Sequence, residues 1–344
     1  EGGSRALVCG MYHGGLKSRQ GEYIVSPSRL EEDLKNFRAA GYSFVLPCEV
    51  AAYAAGGGEL PEKPLILSFD DGHYNNLYYA LPLLKKYDAC ALFNVIGAFS
   101  EFSFTSGDDN NPNYSHLTWE NLRELLKSGR AEIGNHSWAM HSYSPRFGIG
   151  NLSFESESEY EKALFSDFSR LHERVRKECG YVMTSFAYPF GKYTKNAEQV
   201  LKNMGYTATF SCNEGASRVK KGDKDSSRLL RRINMDGRLS SLELIKKTER
   251  LFEKAKAAWS VFVVVARPFL RSLFRPRSSS ARVPAHGKTL GKFQPAAAAF
   301  ARERRGQRGQ FAVIGVFDEF EAFDRAEFAP ERRGGGVSYA RARM

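Results

Sequence analysis

Short apolar runs alternate with amphipathic stretches from the start of the chain to about position 254. The runs at 6–10, 42–47, 65–69, 90–96, 131–135, 185–188, 207–211 and 229–233 are brief and bounded by turn residues, which predicts strands. Between them lie helical patterns. Ser28-Arg29-Leu30-Glu31 reads as a capping box opening a helix with Leu30, Leu34 and Phe37 on one face. A short helix is predicted over 49–55, a helical segment over 75–87 despite Pro82, and a helix from Thr118 after the polar loop 106–115. The longest spans 156–179, with Tyr160, Leu164, Phe168, Leu171 and Val175 at three- and four-residue spacing and Gly180 as its stop. One helix ends at Gly205 and a last covers 241–254. Repeated strand–helix units predict an α/β fold with a parallel sheet, and this many units favour a barrel.

Beyond position 254 the pattern stops. Residues 255–344 hold 17 Lys+Arg, 14 of them Arg, against 7 Asp+Glu, whereas residues 1–254 hold 33 against 32. The net charge of +11 therefore belongs almost wholly to this end, and the near-neutral body argues against a nucleic-acid binder. The division expected is a catalytic domain over 1–254 and an Arg/Ala/Gly-rich, low-complexity tail over 255–344, either disordered or not native sequence. A basic arm for acidic polymers or anionic surfaces is the rival reading of the tail. Five cysteines at wide spacing imply neither a disulfide framework nor a thiolate zinc site. No run approaches the roughly 20 apolar residues of a membrane helix. The chain opens on Glu1, which reads as a fragment or as the product of leader removal.

The candidate chemistry sits at predicted strand ends. Leu65–Phe69 runs directly into Asp70-Asp71-Gly72. Two adjacent carboxylates repel unless a cation separates their roles, although Asp-Gly is also ordinary turn chemistry. The 131–135 strand runs into His136-Ser137-Trp138-Ala139-Met140-His141, and the 185–188 strand into Pro189-Phe190-Gly191. One carboxylate and two imidazoles make a three-ligand site with an open position, the catalytic form of a zinc site. The histidines are five apart, about 140° around a helix, so a loop must carry them.

In that order and spacing, Ser-Phe-Asp-Asp-Gly, the His-Ser…His pair and Tyr-Pro-Phe-Gly resemble the polysaccharide deacetylases of carbohydrate esterase family 4, the NodB-type homology domain. Met11-Tyr12-His13, Leu60-Pro61-Glu62-Lys63-Pro64, Tyr114–Trp119 and Leu230–Asn234 support the resemblance, which covers about residues 6–250. It implies a distorted (β/α) barrel of about seven parallel strands with a metal at its rim. Asp71, His136 and His141 then resemble the metal ligands, with zinc foremost and cobalt, nickel or manganese as other candidates. Asp70 resembles the general base, and the backbone N–H of Phe190 an oxyanion donor. Tyr188, Pro189, Gly191 and Trp138 are candidate substrate-binding residues. The implied substrate is an N-acetylated polysaccharide or oligosaccharide of the N-acetylglucosamine type, deacetylated with release of acetate at the cell envelope or outside the cell. A non-sugar amide, or a non-catalytic carbohydrate- or metal-binding role, are the alternatives.

Three departures from the family pattern stand out. The five-residue histidine spacing is longer than usual and resembles that of a bacterial secreted subgroup. Ala187 stands where many members have an Arg that orients the base, which leaves Asp70 without a charged partner in the sequence reading. No late Leu-x-His motif supplies the general acid. His13, His73 and His116 could each be structural or face the site, and His172 is expected on a helix surface.

Overall fold

A computed structural model describes residues 3–273 apart from 19 and 108–109, with side chains described to residue 257. Among the described residues seven parallel strands close on themselves. They are β1 (Ser4–Tyr12), β2 (Pro64–Phe69), β3 (Ala91–Val95), β4 (Ala131–Asn135), β5 (Ser185–Ala187), β6 (Ala208–Glu214) and β7 (Leu230–Asn234). Each pairs with the next, and β1 closes the ring against both β2 and β7. The closure is uneven. β1 and β2 pair over five residues from Val8↔Leu65 to Tyr12↔Phe69, but β7 meets β1 only at Gly10↔Ile233 and Met11↔Asn234. This is a distorted (β/α) barrel.

Alternation along each strand builds two cores. Val8, Leu65, Leu67, Phe69, Phe93, Ile133 and Phe186 pack outward against surrounding helices, of which α1 (Pro27–Ala39) contributes Leu34 and Phe37. The opposite face, with Leu7, Cys9, Ile66, Leu92, Ala187, Ala208, Phe210 and Leu230, fills the barrel. Helix α2 (Pro47–Ala54) covers the end where the strands begin. Its Val50, Tyr53 and Ala54 join the interior cluster, and Cys48 N–H donates to Glu132 at the start of β4 at 3.1 Å. The opposite end, where the strands finish, is left for chemistry.

Several expected boundaries shift for local reasons. The first helix is capped by Ser26, whose Oγ accepts from Arg29 N–H at 3.1 Å, because Pro27 is preorganised for the first helical position. The predicted 42–47 strand shrinks to Ser43–Phe44, since Pro47 already starts α2. The segment over 75–87 divides into a π turn, Asn76–Ala80, and α3 (Leu81–Lys86), with Pro82 inside the junction. Ser217–Lys220, not expected, runs antiparallel to the beginning of β1.

Helices α4 (Gly97–Thr105), α5 (Trp119–Lys127), α6 (Glu157–Cys179) and α7 (Lys195–Asn203) follow β3, the 106–118 loop, β4 and β5. The last helix, α8, is Ser241–Leu273, and so continues past position 254. The reading of residues 274–344 as a low-complexity tail lies outside the described residues. Among those described, no helix is long and apolar enough to cross a membrane.

Candidate metal and catalytic site

The three strand ends singled out in the sequence meet at the open end of the barrel. β2 delivers Asp70, 1% exposed, whose N–H donates to Tyr12 O at 2.9 Å. The chain then turns through Asp71 and Gly72, with φ of +70° and +69°. Glycine is required at 72 on two counts: the left-handed backbone, and a side chain there would lie 3.1 Å from Val95 Cγ1. This turn swings Asp71 towards the histidines while Asp70 stays in the barrel wall.

Asp71 Oδ1 lies 3.4 Å from Nε2 of His136 and 3.4 Å from Nε2 of His141. The three residues offer one oxygen and two nitrogens within 4.8 Å of one another. Asp71 Oδ1 is buried and takes no hydrogen bond among the described residues. A buried, unpartnered carboxylate oxygen between two imidazole nitrogens calls for a cation, and an O,N,N set suits zinc or a neighbouring divalent transition ion. His136 Nδ1 sits 2.7 Å from Ala187 O. A carbonyl can only accept, so Nδ1 carries the proton and Nε2 presents its lone pair to the site.

Electrostatics agree. Burial raises the Asp71 carboxyl, but His136 outweighs it and the net position is far below the ordinary carboxylate range. Burial and the neighbouring His136 push His141 down to about 4, leaving its imidazole neutral near pH 7. His136 itself is lowered by burial and raised more strongly by Asp70 and Asp71. The carboxylates are thus ionised and His141 is neutral and able to ligate, whereas His136, raised by the two carboxylates, must give up a proton to a cation bound at its Nε2.

Asp70, the candidate base, is not left without a charged partner, contrary to what Ala187 suggested. Arg232 reaches across the barrel from β7 and its Nη1 lies 2.8 Å from Asp70. Arg232 is 1% exposed and is aimed by Ser211 O, 2.9 Å from Nε, and Ser68 Oγ, 3.3 Å from Nη1. Asn94 Nδ2 donates to Asp70 Oδ1 at 2.7 Å. Burial works upward on the Asp70 carboxyl and Arg232 works downward, with the net shift down. Ala187 instead gives His136 its carbonyl partner, a main-chain duty open to any residue.

The loop between the two histidines is tied down residue by residue. His136 N–H donates to Val95 O, and Ser137 N–H, at a φ of +70°, to Asn135 Oδ1. Trp138 and Ala139 donate their N–H groups to the two oxygens of Asp167 on α6, at 2.7 and 2.8 Å. Trp138, one of the candidate substrate residues, is buried against Gly97 with Arg170 over its ring at 4.2 Å.

Tyr188 is also buried and its hydroxyl donates to Glu198 at 2.6 Å. Pro189 is buried, Phe190 takes a φ of +54°, and Gly191 passes close to Cys212. The Phe190 ring packs against His141 with centroids 4.4 Å apart.

Among the histidines of uncertain role, His13 follows β1 directly. Its Nδ1 is buried without a partner among the described residues, and its ring meets Tyr23 edge-on at 4.8 Å. Burial lowers its imidazole, and the raising charges of Asp70 and Asp71 do not fully offset this. His73 lies 3.8 Å from Asp71 and packs against His116, whereas His172 is bonded to Tyr206 away from the site.

Comparison with known proteins points the same way. Residues 57–209 match the family model for polysaccharide deacetylase, a stretch that contains Asp70, Asp71, His136, His141 and Phe190 but neither His13 nor Arg232. The chain is 24% identical over 217 residues to poly-beta-1,6-N-acetyl-D-glucosamine N-deacetylase of Escherichia coli K12. That match covers 58% of this chain and 32% of the relative, so the chain spans about a third of that protein's length. It is 26% identical over 212 residues to the Staphylococcus aureus protein of the same name, covering 60% of this chain and 68% of the other. Among solved structures, IcaB from Ammonifex degensii superposes with a TM-score of 0.56 at 27% identity, covering 67% of this chain and 91% of that one.

Proposed function

We propose that this protein, whose residues 57–209 match the family model for polysaccharide deacetylase, is a metal-dependent hydrolase that removes acetyl groups from a polymer of N-acetylglucosamine units. The relatives named as poly-beta-1,6-N-acetyl-D-glucosamine N-deacetylases favour a β-1,6-linked polymer, met at the cell envelope or outside the cell. The single observation that carries the reading is the division of labour between adjacent carboxylates: Asp71 faces two imidazoles, and Asp70 is held by a buried arginine. A binding module needs only the first.

Asp71, His136 and His141 are the residues to hold the ion, which when bound would polarise the acetyl carbonyl and make water acidic enough to attack near neutral pH. Asp70, ionised and fixed by Arg232 and Asn94, takes the proton from the attacking water. Phe190 packs its ring on His141 and turns its backbone at a φ of +54°, and its N–H is the donor to meet negative charge on the former carbonyl oxygen. His13, whose Nδ1 no described residue bonds, is the group to return a proton to the leaving amine, the role left unfilled in the sequence; burial lowers its imidazole, so it acts as the acid only with the support of the Asp70 and Asp71 charges. Acetate and a free glucosamine unit result.

Acetate release from β-1,6-linked N-acetylglucosamine oligomers tests this. Chelation should abolish it and zinc restore it, while Asp70→Asn should keep the zinc and lower kcat by about 10³-fold. Turnover that survives complete metal removal would sink the mechanism. Loss of zinc from Asp70→Asn would mean that the carboxylates have exchanged roles.

A further inference from the structure

The loop after His141 carries two large exposed rings, Tyr143 at 75% and Phe147 at 46% exposure. Exposed aromatics on a slack loop would say little, but this loop is built. Arg146 and Glu155 form a two-pronged ion pair at 2.9 and 2.6 Å, with side chains only 12% and 9% exposed. Arg146 also donates to Gly150 O, and Gly148 N–H donates to Ser142 O at 2.9 Å. Polar anchors therefore face inward and the rings are turned out.

The rings do not stand alone. Tyr143 and Phe147 both stack on Phe190, with centroids 4.7 and 5.0 Å apart and planes within 28° and 18°. Phe190 in turn packs against His141, a candidate ligand, with centroids 4.4 Å apart and planes at 45°. A continuous aromatic surface thus starts at the metal ligands and leads away from them over solvent. Burial of this area by the protein itself would be worth more than leaving it wet, so its exposure asks for a partner.

We propose that Tyr143 and Phe147 form a subsite for the sugar ring next to the one being deacetylated, so that the enzyme prefers oligomers to single units. This rests on the deacetylase reading above. The chemistry fits: one face of a pyranose presents a patch of C–H groups, weakly positive, and the face of an aromatic ring is weakly negative. Such stacking recognises a neutral, rigid, repeating ring without needing a charge. Of the possible occupants, a flanking sugar is the one whose position is fixed by continuity with the reaction centre.

The test uses the full zinc-loaded chain and a β-1,6-linked N-acetylglucosamine pentamer. The Tyr143→Ala, Phe147→Ala double variant should raise KM for the pentamer about tenfold with kcat within about twofold. Zinc content and turnover of a small activated acetyl ester, which has no second ring to stack, should be unchanged, and Tyr143→Phe should behave as the native protein. A pentamer KM that does not move in the double variant overturns the proposal. So does a parallel fall in zinc content and ester turnover, which would make the rings props for His141. If the native protein binds the pentamer by saturation-transfer NMR but does not deacetylate it, the deacetylase reading fails. The subsite is then judged by whether the double variant loses that NMR contact.

Discussion

Asp70 and His141 reach the same few ångströms of space by different means. Asp70 is one residue beyond β2, and its own N–H is already in the barrel ladder with Tyr12. Its carboxylate is bonded by residues on two other strands, Asn94 on β3 and Arg232 on β7. His141 lies six residues beyond the end of β4, in a loop with no ladder at all. That loop is positioned by a carboxylate from outside the barrel, Asp167, which accepts two consecutive N–H groups. The candidate base is thus fixed by the closed sheet, and the outer candidate ligand by a helix packed against it. The sheet fixes Asp70 through several strands at once, whereas the middle of the loop draws two of its hydrogen bonds from the single side chain of Asp167 and can be loosened by one substitution.

That contrast can be broken from either side. The largest effect is expected from Arg232→Met, which leaves Asp70 charged, buried and unpaired, at a cost of about 3–5 kcal/mol in stability. Arg232 lowers the Asp70 carboxyl in the folded protein. Its stabilising share is therefore present above the unfolded carboxylate value near 3.9 and lost as pH falls. Without the arginine the carboxyl rises, so the acidic limb of the kcat/KM profile should move to higher pH, measurable in Arg232→Gln, which keeps a hydrogen-bond donor without the charge, if the Met variant does not fold. An unmoved limb would show that Arg232 does not set the base.

Asp167→Ala comes next. Zinc affinity should fall about 10- to 100-fold, the range for loss of a supporting hydrogen-bond partner, with the barrel intact by circular dichroism. A cobalt-substituted spectrum should change as His141 loosens while His136, bonded to Val95 and Ala187, stays. An unaltered affinity would assign the loop's order to the Trp138 packing alone.

The smallest effect belongs to Tyr188→Phe. It removes one hydrogen bond to Glu198, worth about 1 kcal/mol in a melting experiment, and should leave KM for the oligomer unchanged because the ring is buried. A raised KM would restore Tyr188 to the substrate side.

The strand-end motifs made the clustering of Asp71, His136 and His141 legible because each is local: apolar run, turn, candidate ligand. Asp70, Asp71 and His136 needed only the rule that parallel strands end on one face. What stayed hidden depends on closure. Arg232 lies 162 residues from Asp70 and becomes its neighbour only because β7 meets β1 across the seam. A trace of it was present, since position 232 alternates with Leu230 on the inward face, where a lone arginine needs an anion. Asp167 was lost in the heptad-like pattern of the long helix, being next to the core residue Phe168. Tyr188 and Trp138 misled in the opposite direction, because aromatic residues beside ligands serve packing as readily as recognition. The capping serine moved by two positions because Pro27 outranks Ser28 as a start signal.

The seam between β7 and β1 has one more consequence. The stretch that matches the family model, 57–209, is an arc of the ring and not the ring. β1 lies wholly before it and β7 wholly after it. Cut out and grafted elsewhere, the arc would keep all three candidate ligands yet expose two raw sheet edges, a template for aggregation. It would also part the base from its counter-charge. In this architecture the unit that builds the site is larger than the stretch that matches the family model.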